Sequence, residues 1–139
     1  MRLTKVNMAC ILIVLLFASQ AFCQSIEDRV IEFVSNMYSG EYMNPEDWLT
    51  KKWIADKYFN DFGGLKALVE SSFQDAKKAG GLASVKILNI KQVQNGFEVH
   101  TEVVFKNKEK RTDNMGYWEL EAGRWKTSPS PLDNRKPAP

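Results

Sequence analysis

Asn95-Gly96-Phe97-Glu98-Val99-His100-Thr101-Glu102-Val103-Val104-Phe105 is the stretch on which the fold turns. Phe97, Val99, Thr101, Val103 and Phe105 alternate with Glu98, His100 and Glu102, the period of a strand with one buried face. Asn-Gly ahead of it is a strong hairpin signal. It makes the Val- and Ile-rich run Ala83–Gln92 the expected partner strand. Downstream, Asn107-Lys108-Glu109-Lys110 reads as a second polar turn. Thr112–Glu121 then reads as a third strand, Ala122-Gly123 as a turn, and Arg124–Ser128 as a short fourth strand carrying Trp125.

Upstream the period changes to that of helices. Ser25 with Asp28 is a helix N-cap pattern. Ile26, Val30, Ile31, Phe33, Val34, Met37 and Tyr38 follow at helical spacing, and Gly40 ends the run. Asn44-Pro45 starts a second helix, with proline preset for the first helical position. Trp48, Leu49 and Trp53 lie behind it. A helical stretch around Ile54–Phe62 is expected to stop at Gly63-Gly64. Leu65–Lys78 presents Leu65, Leu68, Val69, Phe73 and Ala76 on one side, and Gly80-Gly81 closes it. Helices first and a strand meander second predict an α+β domain: N-terminal helices packed on a curved four-stranded antiparallel sheet, a cone-like barrel.

The first 23 residues differ in kind. Arg2 and Lys5 precede a nearly unbroken apolar run, Ala9–Ala18, and no acidic residue appears before Glu27. The run is shorter than the ~20 residues a bilayer span needs, and small residues follow it, as in a secretory signal. A buried helix or a membrane anchor is the competing reading. Cleavage after Ala21 and cleavage after Cys23 both satisfy the small-residue rule. Lipidation at Cys23 is disfavoured by Phe22 just before it. The expected organisation is a signal at 1–23, one domain at 24–128 and a disordered Pro- and charge-rich tail at 129–139. The expected location is therefore outside the cytoplasm, periplasmic or secreted, with no membrane among the partners once the signal is removed.

Losing that segment changes the balance of charge. The chain has 19 Lys and Arg against 17 Asp and Glu; without Arg2 and Lys5 the two are equal. A neutral, mixed surface argues against nucleic acid, which calls for a clustered basic face. Cys10 and Cys23 are the two cysteines, so the folded body relies on packing without disulfides. His100 is the single histidine, too few nitrogen or sulfur ligands for a zinc site. It shares its strand face with Glu98 and Glu102 and reads as a charge-paired surface residue. No metal and no cofactor is expected. Lys106, Lys108, Lys110 and Arg111 form a basic hairpin tip, readable as an anionic docking point or as a solvated turn.

The ordering of elements resembles the nuclear transport factor two-like superfamily, shared with ketosteroid isomerase. Gly116-Tyr117-Trp118-Glu119-Leu120-Glu121-Ala122-Gly123-Arg124-Trp125-Lys126 carries most of the likeness. Trp48-Leu49-Thr50 and Gly80-Gly81 look like an exported bacterial subgroup of unknown function. The cystatins are a neighbouring fold, but Gln92-Val93-Gln94-Asn95-Gly96 misplaces the valine of their inhibitory loop. The resemblance implies a pocket between sheet and helices, and a homodimer through the sheet face. In enzymes of the superfamily the pocket holds a carboxylate base; Asp56, Asp61, Glu98, Glu102 and Glu119 are the candidates, and none sits in a transferable motif.

Aromatic residues supply the other reading. Trp48, Trp53, Tyr58, Phe73 and Trp118 are the candidate ligand-binding set, because binding pockets are mostly apolar. Filling the core is the competing use of such side chains. The functional expectation is an exported, non-enzymatic binding or assembly module for a small apolar ligand or a protein partner. The alternative is an isomerase or hydratase using a pocket carboxylate.

Overall fold

The structure is a computed structural model that describes residues 24–132. The expected signal, most of the expected tail, Cys10 and Cys23 lie outside or at the border of the described residues, and their readings stay expectations. Helix α1 (Ile26–Ser39) begins where Ser25 Oγ accepts a hydrogen bond from the Asp28 amide at 3.2 Å. It ends at Gly40, whose φ of 71° closes the helix against the Phe73 ring. Three short helices follow: α2 (Pro45–Trp48), α3 (Lys51–Ile54) and α4 (Lys57–Asp61). Helix α5 (Gly64–Lys78) then runs alongside α1.

The stretch expected as one helix around Ile54–Phe62 is broken. The chain leaves α3 at Ala55, and Asp56 caps α4 by accepting from the Phe59 amide at 2.8 Å. An aspartate in that position stabilises a new helix start better than it continues an old one.

Four strands form one antiparallel sheet in the order β1-β2-β3-β4: β1 (Leu82–Val93), β2 (Gly96–Phe105), β3 (Lys110–Glu121) and β4 (Arg124–Ser128). The sheet is open, with β1 and β4 as its edges, so the barrel is not closed by strand pairing. Register shifts at Leu82/Ser84, Ile87/Asn89 and Glu98/His100 are the bulges that bend it. Val99, Thr101, Val103 and Phe105 of β2 are all buried, as their alternation requires. Val30, Phe33, Val34 and Met37 of α1 and Leu65, Val69 and Ala76 of α5 join them in the core. Trp118 of β3 is fully buried, edge-on to Phe33 at 5.3 Å, and its Nε1 donates to the Met115 carbonyl.

The first hairpin forms, but its glycine serves another purpose. Val93 pairs with Gly96, so the two-residue turn is Gln94-Asn95, with Gln94 at φ 52°. Gly96 is already in the strand, beneath the Tyr117 ring. A Cβ there would lie 2.5 Å from both Tyr117 Cζ and the Trp118 carbonyl oxygen. Tyr117 crosses over the glycine to donate from its hydroxyl to the Val93 carbonyl at 2.9 Å, closing the turn from above. At the other end Ala122 and Gly123 take φ of 53° and 76°, the paired left-handed geometry of a tight two-residue turn.

Gly96→Ala should therefore cost about 2–3 kcal/mol through overpacking, read as a lower urea midpoint with an unchanged slope. A second expectation comes from Tyr38, whose hydroxyl donates to Asp113 Oδ2 at 3.1 Å and joins α1 to β3. Burial, and then the Asp113 charge, hold this phenol above its usual range. The folded state thus favours the protonated form. Its contribution is complete below about pH 10 and is lost as pH rises through the folded-state value. Urea melts between neutral and strongly alkaline pH should show a shallower alkaline loss in Tyr38→Phe than in the parent.

Candidate functional site: an apolar cavity beside a buried arginine

The segment after α1 is tied down by a cation. Arg29 is only 9 % exposed. Its guanidinium lies over the Trp48 ring at 3.4 Å from the centroid. Nε donates to the Trp125 carbonyl at 3.1 Å, and a terminal nitrogen donates to the Asp47 carbonyl. Desolvation by burial pulls this arginine below its usual range; at neutral pH it remains a cation. One side chain on α1 thereby fixes the end of α2 and the start of β4. Just beyond it, the Thr50 amide donates to the Thr127 carbonyl at 3.0 Å and Thr50 Oγ1 donates to Ser128 Oγ at 2.9 Å. Leu49 is held against the sheet edge by that bridge.

This placement leaves a cavity of about 210 Å³ between the short helices and the sheet. Phe33 and Met37 of α1, Leu49, Trp53 of α3, Phe59 of α4 and Leu68 of α5 line it, with Met115, Gly116 and Thr127 from the sheet. Trp53 and Phe59 face each other at 4.6 Å between ring centroids and form one wall. Leu68, 41 % exposed, stands at the rim. Gly116 has φ 85° and a Thr127 hydroxyl 3.3 Å from where a Cβ would be, so the wall stays low there. The single hydroxyl of the lining, on Thr127, donates to the Tyr117 carbonyl at 3.3 Å. The interior thus offers contact and shape, with its polar group already engaged.

Of the five aromatic residues singled out in the sequence, the structure brings Trp53 to the cavity. Trp48 packs on Phe33 at 5.5 Å under Arg29, and Trp118 fills the core behind it. Tyr58 lies on the outside of α4 against Phe62, and Phe73 sits by Gly40 at the far end of α5, 38 % exposed. Phe59, one residue from Tyr58, is the second aromatic wall. Met37, Met115 and Leu68 also belong to the lining. The two methionines carried no signal beyond apolar spacing, although a flexible thioether suits an irregular surface.

None of the five candidate carboxylates lines the cavity. Asp56 caps α4, and Asp61 is exposed at its end. Glu98 and Glu102 are half-buried on β2, opposite Lys91 and Lys86 of β1 in register. Glu119 stands 3.9 Å from Lys52, and the neighbouring Glu121 accepts from the Lys51 amide and pairs with Lys126 at 3.5 Å. His100 lies between Asn89 and Asn114 in the register, away from the lining. Among the described residues no group of three His, Cys, Asp or Glu is placed to hold a metal ion.

Replacing Arg29 by Met keeps an apolar stem and removes both donors and the cation over Trp48. The cost should be about 3 kcal/mol, from a charged hydrogen-bond pair and a desolvated cation–π contact. Urea unfolding followed by tryptophan emission would measure it, because Trp48 reports on the same contact.

No protein-family model and no curated protein sequence matches the chain. The architecture does have a solved counterpart. A crystal structure of an NTF2-like protein from Campylobacter jejuni, named as a candidate transpeptidase, aligns with TM-score 0.64 at 16 % identity. The alignment covers 77 % of this chain and 100 % of that one. At so low an identity the likeness is one of architecture: this chain has the nuclear transport factor two-like fold.

Proposed function

We propose that the protein is an exported, non-enzymatic binding module that takes an apolar group into the cavity walled by Trp53 and Phe59. The observation that carries this reading is the lining itself. It is built from aromatic, Met and Leu side chains, with one hydroxyl that is already bonded and no carboxylate. General acid–base chemistry needs a titratable group within reach of the reacting atom, and the isomerase or hydratase alternative would have to recruit one from outside this lining. The name of the Campylobacter jejuni protein raises transpeptidation. Acyl transfer of that kind needs a nucleophile with an adjacent base, and Thr127 has no base beside it on the wall. The volume suits a single ring or a short aliphatic chain, since cavities of about 150 Å³ accept benzene.

Export is the second part of the reading, supported by the basic, apolar and small-residue order of positions 1–23. Native mass spectrometry of the protein from the exported fraction addresses both parts. It should give a chain cut after Ala21 or Cys23, the oligomeric state, and an added mass that leaves on denaturation. With p-xylene as probe, Leu68→Trp should weaken binding about tenfold by filling the rim, at unchanged thermal stability. Equal affinity in the two proteins would remove the cavity from consideration.

A further inference from the structure

Helix α4 and its C-terminal cap residue, Phe62, carry aromatic rings on two sides. Phe59 turns inward to the cavity, whereas Tyr58 and Phe62, four residues apart, turn outward and pair at 4.7 Å between ring centroids. They are 55 % and 69 % exposed. Ile54 at the end of α3 and Leu68 at the cavity rim add exposed apolar area on the flanking elements. Lys51, Lys52, Lys57 and Lys66 are exposed on the same run of chain, which otherwise carries Asp56 and Asp61. Asp56 is engaged as a helix cap, and Lys52 is 72 % exposed despite its long contact with Glu119.

We propose that this patch, the Tyr58–Phe62 pair together with the exposed Lys51, Lys52, Lys57 and Lys66 of the same run of chain, docks the protein peripherally on an anionic lipid bilayer. Aromatic rings settle at the boundary between headgroups and acyl chains, and lysines next to them reach the anionic phosphates along their apolar stems. The lysines are what favour a bilayer over a protein surface. Protein interfaces are depleted in Lys, whereas each Lys near an anionic leaflet strengthens attachment. The contact is superficial, in keeping with the absence among the described residues of any helix long and apolar enough to cross a membrane. The inference goes beyond the cavity reading and needs no ligand in the cavity.

The test is co-sedimentation of the purified chain with vesicles of phosphatidylcholine alone and with one-third phosphatidylglycerol by design. Parent and Tyr58→Ser/Phe62→Ser proteins are compared in the same chain, so that any contribution of the N-terminal apolar run is common to both. Both replaced side chains are exposed, and matching thermal melts would establish that the variant is folded. The expected result is selective binding of the parent to the anionic vesicles, weakened about tenfold in the aromatic variant. Lys52→Gln/Lys57→Gln should weaken it further at low salt, and salt should release it. Leu68→Trp, which keeps the apolar area at the rim, separates the two ideas: it should bind vesicles at least as well as the parent while binding p-xylene about tenfold more weakly. Equal binding of the parent and the aromatic variant would overturn the proposal. So would indifference to phosphatidylglycerol, or an oligomer of the parent that the aromatic variant abolishes while vesicles bind neither protein.

Discussion

The placement of the short helices beside the sheet depends on the burial of Arg29. A guanidinium taken out of water is costly unless its donors and its face are occupied. Here the carbonyls of Asp47 and Trp125 and the ring of Trp48 occupy them. Those partners belong to α2 and β4, segments too short to hold themselves. A four-residue helix has little hydrogen bonding of its own, so α2 owes its position to tertiary contacts. Once it is fixed, Leu49 and Thr50 meet Thr127 and Ser128, and the remaining helices must bridge from there to α5.

The cavity is a consequence of that bridge. Helices α1 and α5 are long enough to cover the middle of the sheet, and there the packing is closed around Val99, Val103 and Trp118. Helices α3 and α4 are single turns joined by the cap at Asp56. Their large rings, Trp53 and Phe59, span the gap as a wall, and volume remains behind them. The result is a half-open apolar cleft of about 210 Å³ whose place follows from this chain's layout.

Much of the framework was legible because local chemistry and tertiary role coincide. Ser25, Gly40 and Asn44-Pro45 mark helix ends by hydrogen bonding and backbone freedom alone, and the structure uses each that way. Alternation placed Thr101 with Val99 and Val103, and it is fully buried there, although its hydroxyl has no partner among the described residues. Where the reading slipped, long-range contacts decided. Asn95-Gly96 announced the hairpin correctly, yet Gly96 is required by Tyr117, a residue 21 positions away, and the turn falls on Gln94-Asn95. Arg29 lies within that apolar stripe, and nothing local to it shows that Trp48 and two carbonyls await it.

The site was harder to read for a related reason. Aromatic count fixes how much ring surface must be placed, and packing decides which rings keep a free face. Trp48 and Trp118 go to the core, whereas Trp53, of the same size, keeps a face on the cavity, so size alone does not sort them. A helical step of 100° separates Tyr58, which turns outward, from Phe59, which turns inward, and no propensity distinguishes the two. The break at Ala55–Asp56 sets that angle. Had Ile54–Phe62 continued as one helix, its residues would lie on a different rotation and the wall of Trp53 and Phe59 would not face the sheet. A single capping aspartate thus determines which aromatic residues look into the cavity and which look out of the molecule.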